Sequence, residues 1–256
     1  MAEESLARPF YTVLVLALVC SALVAGTAVG LRPFQEANRK IDQQKNILRA
    51  AGLFNPDKDV ADQFNALIAI RLVDLVSGKF IDLKQEANRS VEEKRTLGRD
   101  QDPAGLFQVE RFSPVYLVHQ EGRFQQIILP VRGKGLWSTM YAYVALDADL
   151  NTIRGISFYE HGETPGLGGE IENPRWQASW QGKEIYGSHN KVALRVVKSG
   201  SADGGEANHR IDGISGATMT GNGVSEMLRF WFGENGFGTF LQWLQQQGGL
   251  NERSKT

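Results

Sequence analysis

Cysteine and histidine are scarce in this chain of 256 residues, and neither sign of charge dominates. The single cysteine, Cys20, rules out an internal disulfide and a cysteine-ligated zinc or iron–sulfur centre. The formal net charge of -1 at pH 7 gives no sign of the basic face that nucleic-acid binding requires. The sequence also contains no phosphate-binding loop, dinucleotide glycine fingerprint or Ser/His/Asp arrangement. If the protein transfers electrons, an organic cofactor must therefore do so.

One stretch lacks charge altogether. Residues 10–31 contain no charged side chain and are rich in Leu, Val and Ala. About 20 apolar residues cross a hydrocarbon core as a helix, so the sequence predicts one transmembrane helix here, after an N-terminal tail of residues 1–9. The alternatives are a cleaved signal peptide, a lipoprotein anchor at Cys20 and a buried core helix. Two acidic residues within Met1–Arg8 argue against the signal peptide, which normally begins with basic residues.

Charge alone does not decide which side of the membrane the rest of the chain occupies. The N-terminal flank has only Arg8, whereas the C-terminal flank has five basic residues: Arg32, Arg39, Lys40, Lys45 and Arg49. A literal positive-inside count would leave the large domain in the cytoplasm, but long domains translocate largely regardless of this count.

Residues 32–114 predict a helical or mixed connecting segment that packs on the main domain. Within it, Glu36–Ala50 predicts a helix that continues from the membrane and ends near Gly52. Lys84–Asp102 is polar and charged, which predicts an exposed connection.

Two interpretations remain open for the middle of this segment. Apolar residues follow helical spacing from Phe64 to Leu75, which predicts a second helix. Ser77-Gly78 is equally consistent with a hairpin turn between strands at Leu72–Val76 and Phe80–Leu83.

From residue 115 the apolar period changes to that of strands, so residues 115–256 predict an α+β domain with an antiparallel sheet. The expected strands form one hairpin around Glu121-Gly122, a second hairpin, and one further short strand: Val115–His119 with Phe124–Val131, Thr139–Leu146 with Ile153–Tyr159, and Val192–Val197.

Two helices are expected after these strands. The first has apolar residues at i, i+3, i+4, i+7 and i+8, with Asn222-Gly223 as capping residues: Val224, Met227, Leu228, Trp231 and Phe232. Phe240–Leu244 predicts a short final helix before a polar tail from Gln245.

Small and hydroxyl residues are concentrated just ahead of the first of these helices. Residues 212–220 read Asp-Gly-Ile-Ser-Gly-Ala-Thr-Met-Thr. Backbone N–H groups and a helix N-terminus at such a place can hold an anion such as a phosphate. Gly213 and Gly216 allow tight turns, and Ala217 leaves room for a bulky group. The simpler interpretation is that these residues only cap the helix.

The order of these residues resembles the flavin-attachment signature of a known family: Asp212, Ser215, Gly216, Ala217, Thr218 and Thr220. The signature occurs in the FMN-binding domain of the C subunit of the sodium-translocating NADH:quinone reductase and in the related G subunit of the ferredoxin:NAD oxidoreductase ion pumps. In that family a flavin transferase joins FMN through a phosphoester to the last threonine of Ser-Gly-Ala-Thr. The resemblance therefore implies one covalent FMN on Thr218, with the preceding residues of the signature as cofactor-binding residues.

A second stretch, His161–Gly169, resembles the family's Glu-Thr-Pro-Gly-Leu-Gly loop. A proline among polar residues and glycines makes a rigid turn with close backbone approach. The apolar Leu167 suits contact with a flat ring, and nearby backbone N–H groups suit a flavin edge. We therefore expect flavin contacts from five loop residues: Glu163, Thr164, Gly166, Leu167 and Gly168. An ordinary Pro/Gly hairpin loop is the alternative.

Other residues near these stretches have more than one interpretation. Trp137 lies in a Gly-Leu-Trp turn similar to one in the family, so it is expected either to wall the flavin or to lie in the core. Lys198 and Arg195 are either phosphate contacts or solvent-exposed cations. His161 has no second His or Cys nearby in sequence, so we expect neither a metal site nor a base there.

The resemblance extends over essentially the whole chain and implies an antiparallel-sheet FMN-binding domain with flanking helices after one transmembrane helix. It also implies an electron-transfer subunit, without an NADH site of its own, in a six-subunit reductase of the bacterial inner membrane. Its expected partners are the flavin transferase, the membrane and the other subunits, above all the membrane subunit with a second covalent FMN. The flavin domain would be periplasmic, and the complex would reduce ubiquinone while exporting sodium.

Three alternatives remain at this stage. The chain could be a relay of the G-subunit type in a ferredoxin-linked pump, which co-purifying subunits would reveal. It could be a membrane-anchored FMN-binding sensor or regulator. It could also be an anchored scaffold in which the Thr218 motif is only a helix cap.

Overall fold

The structure is a computed structural model that describes residues 7–81, 93–120, 123–198 and 206–247. The chain divides into two compact units, Met1–Gln43 and Gln44–Thr256. Helix α1 (Ala7–Ala50) begins in the first unit and ends in the second. Its N-terminal part contains a window with a mean hydropathy of 2.4 and no buried residues, which is long and apolar enough to cross a membrane. This helix fits a membrane anchor over the expected residues 10–31.

The second unit contains the other α-helices and the strands of the described residues, together with four short 3-10 helices at Arg99–Gln101, Gly168–Glu172, Ser188–Asn190 and Ala207–His209. Its helices are α2 (Val60–Leu67), α3 (Pro174–Ala178), α4 (Thr218–Trp231) and α5 (Gly238–Gln246). Its strands are β1 (Ile68–Asp74), β2 (Lys79–Ile81), β3 (Lys94–Thr96), β4 (Gln108–Glu110), β5 (Phe112–Gln120), β6 (Arg123–Lys134), β7 (Thr139–Asp147), β8 (Ile153–Glu160), β9 (Arg195–Val197) and β10 (Arg210–Asp212).

The central sheet has six strands in the order β2-β1-β5-β6-β7-β8, and each neighbouring pair is antiparallel. Both faces are buried, because successive side chains on a strand point to opposite faces. On β5, for example, Val115 and Leu117 belong to one apolar cluster, and Tyr116 and Val118 belong to the other. Each fully buried side chain of this size contributes about 1.5–3 kcal/mol.

Helices cover the sheet on both sides. The larger cluster includes the apolar face of α4, with Val224, Met227 and Leu228 fully buried, and residues of α5. The smaller cluster joins the opposite face to the C-terminal end of α1 and to Phe64 of α2. The expected α+β fold with an antiparallel sheet and flanking helices is confirmed.

Both hairpins expected after residue 115 are present as β5–β6 and β7–β8. The expected turn residues Glu121-Gly122 lie outside the described part of the chain. The expected helix over Phe64–Leu75 is wrong beyond Leu67, and the hairpin alternative with its turn at Ser77-Gly78 is correct, although β1 is Ile68–Asp74 rather than Leu72–Val76. Residues 82–83 of the second expected strand lie outside the described part of the chain. Strand β1 pairs with β5 along its whole length, and this pairing overrides the helical spacing. The 32–114 segment therefore supplies two strands of the sheet.

Three local expectations differ from the structure. Part of the expected exposed connection Lys84–Asp102 is a strand, since β3 pairs with β4; its residues 84–92 lie outside the described ranges. Only the last three residues of the expected strand Val192–Val197 form a regular strand, β9, which pairs in parallel with β10. Helix α4 begins at Thr218, so Asn222-Gly223 lies inside it and caps nothing.

Candidate functional site

Helix α4 begins directly after a short turn that leaves β10. The Gly213 N–H donates to the Val197 carbonyl at 2.7 Å, and the Ala217 N–H donates to the Ile214 carbonyl at 3.1 Å. Gly216 has a φ of 73°, a conformation that side chains with a Cβ rarely adopt. These bonds turn the chain so that Thr218 becomes the first helical residue.

The N-terminus of α4 is open to solvent. Ala217 occupies the cap position, and among the described residues no side chain caps the helix there. The N–H groups of a first turn have no intrahelical acceptor, and the helix dipole adds positive potential. Thr218 is exposed at this point, so its hydroxyl lies where an anion is stabilised.

Thr218 lines two cavities at once. One, of about 280 Å³, extends from the Gly213–Asn222 segment to β9 and includes Lys198 and Ser215. The other, of about 210 Å³, lies between α4, the 161–169 loop and the turn after β6. Gly216 and Ala217 also border both, so the turn before α4 forms the wall between them.

Apolar side chains surround the smaller cavity although they face solvent. Trp137 is 70% exposed, and three other large apolar residues around the cavity are also exposed: Leu136, Leu167 and Met219. Isolated exposed apolar residues are common, but a group of four around one hydroxyl marks a surface that is covered by a ligand or partner. A planar aromatic group has the right chemistry to lie against these side chains.

A buried carboxylate lies beneath this cavity. Glu163 is 4% exposed, and its Oε2 accepts a hydrogen bond from the Thr220 hydroxyl at 2.5 Å. Its Oε1 accepts from the Trp137 N–H at 3.0 Å. Burial alone would raise the pKa of Glu163, but these hydrogen bonds and those from the neighbouring Leu136 and Ser138 N–H groups outweigh burial and lower the pKa. The group is therefore a carboxylate at neutral pH.

The 161–169 loop is held by its own backbone. The Thr164 carbonyl accepts from the Leu167 N–H at 3.1 Å and from the Gly169 N–H at 2.9 Å, and Gly166 between them has a φ of 75°. The Gly162 N–H also donates to the Ser138 hydroxyl at 2.6 Å. Loop and turn are thereby fixed side by side.

The structure brings together most of the residues that the two motifs predicted. The following line one or both cavities: Trp137, Glu163, Thr164, Leu167, Gly168, Ser215, Gly216, Ala217 and Thr218. Asp212 and Gly166 lie outside both linings. The Asp212 carbonyl instead accepts from the Trp176 indole at 2.8 Å, and Gly166 shapes the loop tip.

The structure also locates Lys198, Arg195 and His161, which had more than one interpretation from the sequence. Lys198 borders the larger cavity, whereas Arg195 lies outside its lining. His161 Nδ1 accepts from the Glu163 N–H at 3.1 Å, so this ring helps to shape the loop. Within the described residues no cluster of His, Cys, Asp or Glu is arranged for a metal ion.

Sequence reasoning missed Met219 and the role of Thr220, and it included Leu136 only as part of the Gly-Leu-Trp turn. Leu136 and Met219 complete the apolar wall, and Thr220 is the partner of Glu163. The signal for the first two was an apolar residue directly beside a predicted site residue. Nothing in the sequence pairs Thr220 with a residue 57 positions away.

The residues present fit an FMN. Its phosphate suits the first-turn N–H groups beside the Thr218 hydroxyl, and its ring suits the exposed apolar wall of Leu136, Trp137, Leu167 and Met219.

Comparisons with known proteins agree with this fit. A family profile described as an FMN-binding domain matches residues 135–233, which include the turn after β6, the 161–169 loop and α4. The chain is 44% identical over 251 residues to the C subunit of the Na(+)-translocating NADH-quinone reductase of Pseudomonas aeruginosa, covering 93% of this chain and 96% of that protein. It is 43% identical over 255 residues to the protein of the same description from Vibrio vulnificus, covering 97% and 99%.

Solved structures show the same fold. Shewanella oneidensis NqrC superposes with a TM-score of 0.73 at 34% identity, covering 82% of this chain and 99% of that one. The C subunit of the Na(+)-translocating NADH-quinone reductase from Parabacteroides distasonis gives a TM-score of 0.64 at 30% identity, covering 82% and 96%. With relatives above 40% identity over 93% or more of its length and a match to the FMN-binding domain, the chain belongs to the NqrC family, the C subunits of the Na(+)-translocating NADH-quinone reductase.

Proposed function

We propose that this subunit binds one FMN through a phosphoester to Thr218 and relays electrons within the reductase complex. The observation that supports the assignment is the difference between two neighbouring threonines. Thr218 is exposed at the uncapped start of α4, whereas Thr220 is 2% exposed and bonded to Glu163. A modifying enzyme can therefore reach the first hydroxyl and not the second.

The chain's own residues have three tasks in this proposal. Thr218 Oγ forms the bond to phosphorus, and its proton leaves with the group displaced from phosphorus, so the protein gains one FMN less one water. The first-turn N–H groups of α4 stabilise the remaining phosphate charge. Leu136, Trp137 and Leu167 cover the ring and limit its contact with water. When bound, FMN supplies the acceptance and donation of electrons.

A covalent bond has a physical advantage for a cofactor outside the cytoplasm. A dissociated FMN would be diluted away, whereas a tethered one stays at a high effective concentration. We place the domain on the periplasmic side of the inner membrane, with α1 as the single anchor and a flavin transferase as the maturation partner. A C-terminal reporter fusion that is active only in the cytoplasm would contradict this orientation.

The other subunits of the six-subunit complex, especially the membrane subunit with the second covalent FMN, are the proposed partners. Matches to NqrC proteins over 93% or more of the chain favour this interpretation over a relay of the G-subunit type or an independent sensor. Affinity purification of the tagged chain from membranes should recover the NADH-quinone reductase subunits. Recovery of a ferredoxin-linked complex, or of a flavinylated chain alone, would contradict it.

Intact-mass measurement tests the attachment site. The full chain should gain one FMN, less water, only when a flavin transferase is co-expressed. Thr218→Ala should abolish the gain and change the free energy of unfolding by no more than about 0.5 kcal/mol, because the side chain is exposed.

Two matched controls keep this test specific. Ser215→Ala removes another exposed hydroxyl of the same turn, and Thr220→Ser keeps the bond to Glu163; both should retain the adduct. An adduct that persists on Thr218→Ala would disprove the site.

A further inference from the structure

Glu163 and Thr220 join three separate segments under the flavin site. Glu163 belongs to the 161–169 loop, Thr220 to the first turn of α4, and Trp137 to the turn after β6. The two carboxylate oxygens are divided between the partners, with Oε2 bonded to the Thr220 hydroxyl at 2.5 Å and Oε1 to the Trp137 N–H at 3.0 Å. One side chain therefore connects the helix that presents Thr218 with the turn that presents the exposed indole.

Two glycines let the backbone approach this carboxylate closely from two sides. A Cβ added to Gly168 would lie 2.5 Å from Thr220 Oγ1 and 2.8 Å from Glu163 Oε2, and one added to Gly135 would lie 2.9 Å from Glu163 Cδ. Real Cβ atoms do not approach so closely. The glycines thus allow the backbone to enclose the carboxylate, and the Glu163–Thr220 pair is closely packed within the site.

The turn that carries Trp137 depends on the hydrogen bond from its N–H to Glu163, because the Trp137 side chain contributes little packing. Its indole is 70% exposed, so burial of that side chain does not hold the apex of the turn. Ser138 fixes the stem of the turn, since its carbonyl accepts from the Gly135 N–H at 2.7 Å. At the apex, the Trp137 N–H donates to Glu163 at 3.0 Å, and the neighbouring Leu136 and Ser138 N–H groups also interact with this carboxylate.

We propose that Glu163 is a positioning residue, which acts through Thr220 to fix the start of α4 and through the Trp137 N–H to fix the apolar turn. In this way Glu163 sets the distance between the Thr218 hydroxyl and the apolar side chains that would cover the flavin ring. The proposal rests on the proposed attachment of FMN to Thr218. The proposal also gives Thr220 a role of its own. Its hydroxyl bonds to Glu163 and fixes the first turn of α4, where Thr218 lies two residues away.

The test compares Glu163→Leu, Thr220→Val and the conservative Thr220→Ser in the full chain. We expect Glu163→Leu and Thr220→Val to load FMN at Thr218 about tenfold more slowly than the unmodified chain, because small displacements of a reacting group cost large factors in rate. Thr220→Ser should load at the unmodified rate. Loading is followed by intact mass over time, and the visible spectrum of the loaded flavin should shift in the first two variants only.

A second measurement does not involve the flavin. In the unloaded protein, the Trp137 amide hydrogen should exchange with solvent faster in Glu163→Leu than in the unmodified chain, at unchanged overall helix content. Should Glu163→Leu not fold, Thr220→Val and its serine counterpart carry the loading comparison alone. Unmodified loading rates and spectra in Thr220→Val would overturn the positioning role. Absence of an adduct on the unmodified chain, with Trp137 exchange still dependent on Glu163, would instead overturn the proposed function.

Discussion

Thr218 and Thr220 differ in exposure because helical geometry places them on opposite sides of α4. Each residue of an α-helix advances by about 100°, so two residues are about 200° apart. With Thr220 turned into the protein, Thr218 must face outward, and the two have opposite burial. The proposed selection of Thr218 over Thr220 therefore follows from the register of one helix.

Substitution of Gly168 should test how tightly the Glu163–Thr220 pair is enclosed. Gly168→Ala places a methyl group against both partners, and overpacking of this kind costs about 1–3 kcal/mol in the free energy of unfolding. Gly166→Ala is the matched control in the same loop; it has open space but a φ of 75°, so only backbone strain of about 1 kcal/mol is expected. Urea unfolding of the unloaded chain measures both, and equal costs would contradict the close packing.

At the residue scale, local sequence indicates which residues surround the candidate site better than it indicates how they are connected. Thr218 and Leu167 are recognisable because each lies in a short contiguous motif. The bond between Glu163 and Thr220 spans 57 positions and depends on the fold, so no local pattern reveals it. The exposure of Trp137 was equally hidden, because an aromatic residue after a strand more often lies in the core.

At the element scale, α4 shows why a helix was predicted correctly and its start was not. The apolar spacing from Val224 indicates the buried face, but Gly221 and Gly223 have low helix propensity and suggest a break. Packing requires glycine at position 223, because an added Cβ would clash with the Lys134 carbonyl oxygen, and it leaves little room at Gly221, where an added Cβ would lie 3.1 Å from Val196. The close approach of α4 to β9 and to the central sheet thus outweighs the low helix propensity of these glycines.

The hairpin of β1 and β2 provides a prediction about pH. Burial alone would raise the pKa of Asp74, but hydrogen bonds from the Arg111 guanidinium and the Val76 N–H outweigh it and lower the pKa. The stability from this carboxylate is therefore present above its unfolded pKa of about 3.9 and is lost as pH falls through the lower folded value. Asp74→Asn should lower the free energy of unfolding at pH 6 and flatten its decline below about pH 4.

Urea unfolding at several pH values measures this difference. Glu93→Gln is the matched control, because Glu93 pairs with the same Arg111 but is exposed, and exposed pairs contribute about 0–1 kcal/mol. The two variants should differ at pH 6 and converge with the unmodified chain in acid. Parallel curves for Asp74→Asn and the unmodified chain would exclude the carboxylate as the titrating group.

At the scale of the whole molecule, the candidate flavin site depends on segments from distant parts of one unit. The turn after β6, the 161–169 loop and the turn before α4 meet because α4 packs against β6 and because Glu163 of the loop bonds to Thr220 of α4. All of these segments lie within Gln44–Thr256, and the membrane-spanning window lies in α1. The helix that fits a membrane anchor and the candidate flavin site therefore belong to different parts of the chain.

The boundary between these units gives the final prediction. A chain without residues 1–43 should be soluble, should fold and should accept FMN on Thr218, because its core is complete. A chain without residues 1–51 should be unstable, since Ile47 and Leu48 are within 1% of full burial in the smaller apolar cluster. Loss of a buried Leu or Ile side chain costs about 2–5 kcal/mol, so the second truncation removes a large part of a typical domain's 5–15 kcal/mol. Thermal unfolding and intact mass of the two truncated chains distinguish them, and equal stability would show that the end of α1 does not belong to the core of the flavin domain.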